Sequence, residues 1–160
     1  GILKNFDGGD KISNEELLSL DTNVLIPAAL ENAITDKNAK SIKAQVIVEG
    51  ANGPTSHEAD AILEKNKIIA VPDILANAGG VIVSYFEWVQ NRLGFKWTKN
   101  RVYRRSDSII KQSFNNVYSI SKKYKVSLRT AAYIAAIDKV SRTYKYRDGS
   151  FTFQKNDKNS

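Results

Sequence analysis

Two short segments of this chain combine glycine with asparagine in the manner of ligand-binding loops. One is Glu49-Gly-Ala-Asn-Gly-Pro54, and the other is Asp73-Ile-Leu-Ala-Asn-Ala-Gly-Gly80. Glycine lets a backbone approach a ligand closely, while asparagine sets an acceptor and two donors on one fork. Such a fork suits a neutral carboxamide. The same residues also make ordinary turns, because Asn-Gly and Gly-Gly are common turn formers, so residue type alone leaves both readings open.

Other reactive side chains are sparse. There is no Cys, which removes disulfides, thiol nucleophiles and thiolate metal sites together. The single histidine, His57, excludes a multi-histidine metal site and reads as a solvated residue at a helix start. Glu49, Asp60 and Asp73 are scattered carboxylates with no acid–base pair legible from spacing. Tyr85, Phe86 and Trp88 read as core or interdomain packing.

The segments that position the two loops alternate in type. Ser13 and Glu16 form an S-x-x-E capping box ahead of Leu17 and Leu18, predicting a short helix. Apolar runs follow at 23–27, 44–48 and 68–71, each reading as a buried strand. Between the first two lies a polar helix or loop from about Leu30 to Ser41. Between the second and third, Thr55 and Glu58 suggest another capping box, opening a helix that carries Ala59, Ile62 and Leu63. This order predicts an α/β fold: a partial Rossmann-like, doubly wound parallel sheet, its βαβαβ half. Both loops then fall at carboxyl ends of adjacent strands, where open α/β sheets bind ligands. A half-sheet seldom stands alone, so the pattern, the absence of Met and the opening Gly1 together suggest further chain upstream.

Beyond Gly79-Gly80 the pattern turns helical. Val81, Ser84, Tyr85 and Trp88 share one face, and a loop is expected from Gly94 to Arg105. Ile110, Phe114, Val117 and Tyr118 define a second helix, and Ser127 caps a third. In that third helix the pairs Ala131-Ala132 and Ala135-Ala136 allow close approach, and Gly149 is a natural stop. Residues 1–95 hold eight Lys/Arg against thirteen Asp/Glu, and residues 96–160 hold sixteen against four. That shift sets the expected boundaries: a half coenzyme-type domain over 1–95, a C-terminal helical segment over 96–149, and a disordered tail over 150–160. The balance of 42% hydrophobic and 26% charged residues is that of a soluble globular protein, with no apolar run long enough for a membrane helix.

Three stretches carry a resemblance. Pro27-Ala-Ala29, Glu49-Gly-Ala-Asn-Gly-Pro-Thr55 and the long run from Pro72 through Gly79-Gly-Val-Ile-Val-Ser-Tyr-Phe-Glu-Trp-Val-Gln-Asn91 resemble the glutamate dehydrogenases of the Glu/Leu/Phe/Val dehydrogenase family. The likeness runs from about Asn14 to Gly149. It implies a cytoplasmic, NAD- or NADP-dependent enzyme that deaminates L-glutamate to 2-oxoglutarate and ammonia, commonly as a homohexamer. It further implies that Ala28 and Ala29 line the coenzyme cleft and that Ala51 and Asn52 contact the nicotinamide end. Asn77 is implied at both nicotinamide and substrate, with Val81 and Ser84 at the far carboxylate of glutamate. Ser84, one turn into a helix, also sits near the positive end of its dipole, although without the resemblance it would read as a surface serine. The family's glycine-rich phosphate turn, catalytic lysine and catalytic aspartate have no counterpart here, so no catalytic residue is assigned and the choice between NAD and NADP is not legible.

Two rival readings remain at this stage. One is a free-standing, truncated protein that associates with a full-length dehydrogenase. The other is nucleic-acid binding by Arg101, Arg104, Arg105, Lys122, Lys123 and Lys125 among Tyr103, Tyr118 and Tyr124. Since a charged helix face is usually just a solvated face, the expected outcome is no retention of DNA or RNA at low salt. Binding there that falls steeply with added salt would restore the nucleic-acid reading.

Overall fold

The computed structural model describes residues 8–147. The expected stop at Gly149 and the tail beyond it lie outside those residues. The chain divides into two compact units between Tyr85 and Phe86, inside one continuous helix.

The first unit opens with α1 (Asn14–Leu18), started by the expected box: Ser13 Oγ accepts from Glu16 N–H, and Glu16 Oε2 accepts from Ser13 N–H at 2.7 Å. Three strands then make a parallel sheet in the order β1 (Val24–Leu25), β2 (Val46–Val48), β3 (Ile69–Val71). Val46 pairs with Val24 on one side and Ile69 on the other, which puts Ile47 at the centre. Ile47 is fully buried, with Ile34, Ala39, Ile42, Ala44, Ala59 and Leu63 around it. Leu25, Ile62 and Ile68 pack against this cluster. The strand carries its most buried side chain in the middle because its neighbours in sequence point to the opposite face.

The connection from β1 to β2 contains no α-helix. It is a run of turns ending in a short 3-10 stretch at Ala39–Ser41, and Asn38 holds it: its Oδ1 accepts from Thr35 N–H and its Nδ2 donates to Ala33 O. Ile34 extends this connection into a parallel bridge with Thr55. That bridge corrects the expected second capping box. Thr55 is taken up beside Ile34, so Ser56 becomes the N-cap of α2 (His57–Lys65), accepting from Ala59 N–H. Glu58 remains in the first turn, its carboxyl held below the ordinary range by its own backbone N–H and then by the Ser56 hydroxyl.

The second glycine–asparagine segment is also more ordered than a loop. Asp73–Ala76 form α3, and α4 (Gly79–Leu93) begins after Asn77 and Ala78. Pro72 has no N–H to lose at the helix start, and Asp73 Oδ1 accepts from Ile74 N–H at 2.7 Å.

In the second unit, α4 ends at a turn through Gly94, whose φ of +63° suits glycine. Here Gln90 spans the turn, donating to Phe86 O and accepting from Trp97 N–H at 2.6 Å. The buried Phe86 ring packs on Trp97, and Arg101 and Arg105 lie over the Trp97 ring. The predicted loop from Gly94 to Arg105 is therefore too long. Thr98 Oγ1 caps Arg101 N–H, and α5 runs from Lys99 to Tyr124. Lys125, left-handed, closes α5 before Ser127 caps α6 (Leu128–Arg147). The α5–α6 pair buries Val117, Leu128, Ala131 and Ala132, the last two as their small size foretold. Phe86 on α4 is buried, whereas Tyr85 and Trp88 of the stripe expected there are exposed, because helical spacing marks a face without saying what covers it.

Two outcomes follow. Replacing Ile47 by Ala should cost about 2–5 kcal/mol in denaturant unfolding, against under about 1 kcal/mol for Ile69→Ala at a 55% exposed edge position. Equal costs would contradict the placement of the core. The Glu16 carboxyl is held below its usual value of 4.5, first by the Ser13 backbone N–H and then by the Ser13 hydroxyl. Its contribution is full above the unfolded carboxyl's pKa and is lost as pH falls through the lowered folded value. Hydrogen exchange at Ser13 N–H should therefore lose protection on acidification, and protection independent of pH would contradict the box.

Candidate functional site

All three strand ends feed one cluster. Following β1, Pro27 is buried and its carbonyl accepts from Ala51 N–H at 2.9 Å. At the end of β2, Glu49 N–H donates to Val71 O, so the loop after β2 is tied to both neighbouring strands. Gly50 lies close to Ala28: a Cβ there would stand 3.1 Å from Ala28 Cβ, tighter than ordinary contact, so the neighbour would have to shift by a few tenths of an ångström. With Ala28, Ala29 and Ala51, it keeps these ends free of bulk. A depression of about 520 Å³ opens beside them, lined by Ala29, Leu30, Glu31, Gly50, Ala51 and Asn52.

Polar groups lock the loops together. Glu49 is fully buried, and its Oε2 accepts from Asp73 N–H at 2.8 Å. Asp73 in turn uses Oδ2 to accept from Gly53 N–H at 2.8 Å. Gly53, at φ +54°, gives its carbonyl to Asn32 N–H on the β1–β2 connection. On top of this frame Asn77 Nδ2 donates to Asn52 Oδ1 at 2.6 Å and, at 3.4 Å, to Ala51 O. Among the described residues, Asn52 Nδ2 and Asn77 Oδ1 have no hydrogen-bond partner in the protein. One donor and one acceptor are thus left on adjacent amides, the complement of a carboxamide.

The structure brings Ala28, Ala51, Asn52 and Asn77 into one cluster through these contacts, with Ala29 on the wall of the depression. Val81 and Ser84 lie one turn apart on α4, which starts two residues after Asn77, and both are exposed. His57 is an exposed first residue of α2. Sequence reasoning missed Glu49 and Asp73 by treating them as scattered. Their signal was position: Glu49 directly follows β2 and precedes a glycine, and Asp73 follows β3 after one proline. No cluster of three or more His, Cys, Asp or Glu suited to a metal occurs among the described residues.

A family model described as Glutamate/Leucine/Phenylalanine/Valine dehydrogenase matches residues 1–148. The chain belongs to this family. It is 53% identical over 147 residues to a glutamate dehydrogenase of Thermotoga maritima, covering 92% of this chain and 35% of that protein. An NAD-specific glutamate dehydrogenase of Clostridioides difficile is 46% identical over 147 residues, with the same two coverages. In structure, the chain resembles the hetero-hexameric glutamate dehydrogenase of Thermus thermophilus, crystallised with leucine, with a TM-score of 0.82 and 30% identity over 88% of this chain and 34% of that one. The chain spans about a third of the length of these relatives. Its glycine–asparagine segments follow the strands of a three-stranded parallel sheet, and helices come after them, an α/β arrangement.

The frame makes one substitution pair diagnostic. Glu49→Ala leaves the Asp73 N–H without its acceptor and should cost about 1–3 kcal/mol, while Glu49→Gln keeps an acceptor and should cost less. Denaturant unfolding checks both, and equal stability of wild type and Glu49→Ala would show that the bond does not hold the loops.

Proposed function

We propose that this chain is the coenzyme-side portion of an NAD-dependent glutamate dehydrogenase, converting L-glutamate to 2-oxoglutarate and ammonia. The observation that carries the reading is the unused donor on Asn52 beside the unused acceptor on Asn77, set at the carboxyl ends of parallel strands. Small residues at 28, 29, 50 and 51 fit a planar ring approaching the backbone, and the amide pair fits its carboxamide. NAD is favoured over NADP because the Clostridioides difficile relative is NAD-specific.

A nicotinamide coenzyme held here would supply the hydride acceptor for the reaction. The residues of this chain bind and orient. Asn52 Nδ2 would donate to the carboxamide oxygen and Asn77 Oδ1 would accept from its nitrogen, both amides being held by the frame beneath them. Ser84 Oγ donates to the far carboxylate of glutamate, with Val81 one turn before it packing on the substrate's methylenes. Both stand in the first turns of α4, where the helix dipole favours an anion. The catalytic lysine and aspartate and the phosphate-binding turn are supplied, in this reading, by parts of the enzyme outside this chain. The intact enzyme is a homo-oligomer, and a hexamer is supported by the Thermus thermophilus relative being hetero-hexameric.

The test uses the longest natural polypeptide containing these residues. It should reduce NAD in a glutamate-dependent manner, and its absence under saturating glutamate and NAD would overturn the reading. Ser84→Ala should lower kcat/KM for glutamate by about 10- to 100-fold, through loss of a hydrogen bond to a charged group, while leaving NADH affinity intact. An unchanged kcat/KM for glutamate would remove Ser84 from the site.

A further inference from the structure

Asn52 is the only asparagine of the chain followed by glycine. That pair is chemically labile. The Gly53 backbone nitrogen, after losing its proton to solvent, can bond to Asn52 Cγ as the Cγ–Nδ2 bond breaks and ammonia leaves. Water then opens the resulting succinimide to aspartate or to its β-linked isomer. No oxidant or cofactor is needed. Glycine permits the closure because no side chain hinders its nitrogen.

Both reacting groups are solvent-exposed here, yet neither is idle. Gly53 N–H donates to Asp73 Oδ2 at 2.8 Å, and Asn52 Oδ1 accepts from Asn77 Nδ2 at 2.6 Å. The second bond has opposed effects, since it polarises the carbonyl under attack while fixing the side chain that must swing. The first has one sign. To attack, Gly53 nitrogen must give up a proton that the Asp73 carboxylate is holding, and the anion left behind would face that carboxylate at hydrogen-bond distance. Asp73 is itself anchored, its N–H donating to buried Glu49 and its Oδ1 accepting from Ile74 N–H, so it does not swing away freely.

We propose that Asn52 is a spontaneous deamidation site and that Asp73 is the residue that restrains it. Conversion would add a carboxylate next to Asp73 and remove the Asn52 amide donor. The β-linked product would also lengthen the backbone between the Pro27–Ala51 and Asn32–Gly53 hydrogen bonds. The inference stands apart from any assignment of coenzyme or substrate.

Peptide mapping by mass spectrometry after incubation of the full-length protein in mildly alkaline buffer tests it. Native wild type should convert Asn52 at least about tenfold more slowly than the same protein unfolded in urea, the factor expected for one hydrogen bond to a charged group. Folded Asp73→Ala should lose most of that protection. Asp73→Asn, which keeps an acceptor without the charge, should fall between the two and carries the test if Asp73→Ala does not fold by circular dichroism. Native conversion as fast as in urea, or a folded Asp73 variant that converts at the wild-type rate, would overturn the proposal.

Discussion

Glu49 ends the central strand with its side chain wholly buried, and its Oε2 holds the first backbone N–H after β3. A polar group taken from water at this depth must be hydrogen-bonded or it destabilises the fold, so the positions of the two loops are constrained together. Asp73 passes the constraint on to Gly53, and Gly53 passes it to Asn32 on the connection from β1. Three strand ends are thereby fixed by four residues, none of which is assigned to touch a ligand. The amides of Asn52 and Asn77 rest on this frame, and their separation follows from it.

The same constraint explains the composition of the site. A frame built from backbone N–H groups requires that the backbones approach one another, and side chains at the crossing would have to be accommodated by a shift. Gly50 against Ala28 is the point where this is felt, with a Cβ clearance of 3.1 Å. Small residues here serve the packing of the loops first. The space they leave for a flat ring is a consequence of that packing, which ties the fold to the function proposed for it.

Much of the fold was legible because its signals are local. Short apolar runs, two of them ended by proline, marked the three strands, and Ser13 with Glu16 marked a helix start through bonds only three residues apart. Ala131 and Ala132 announced a close helix contact by size, whereas the equally small Ala135 and Ala136 are only half-buried. The errors lie where distant partners decide. Thr55 resembled a cap but is drawn into a bridge with Ile34, twenty-one positions earlier, which shifts the cap to Ser56. Tyr85 and Trp88, read as core or interdomain packing, are exposed among the described residues and so lie outside this core. Asn52 and Asn77 were singled out by type and resemblance, but their direct bond, across 25 positions, and the Glu49–Asp73 frame below it required the tertiary structure.

The most direct measurement is a crystal structure of the full-length protein with NAD and glutamate bound. The account predicts the nicotinamide carboxamide within hydrogen-bond distance of Asn52 Nδ2 and Asn77 Oδ1, with the far carboxylate of glutamate at Ser84 Oγ. A nicotinamide ring bound away from the β2 and β3 loops, with the Asn52–Asn77 pair facing only solvent, would contradict it.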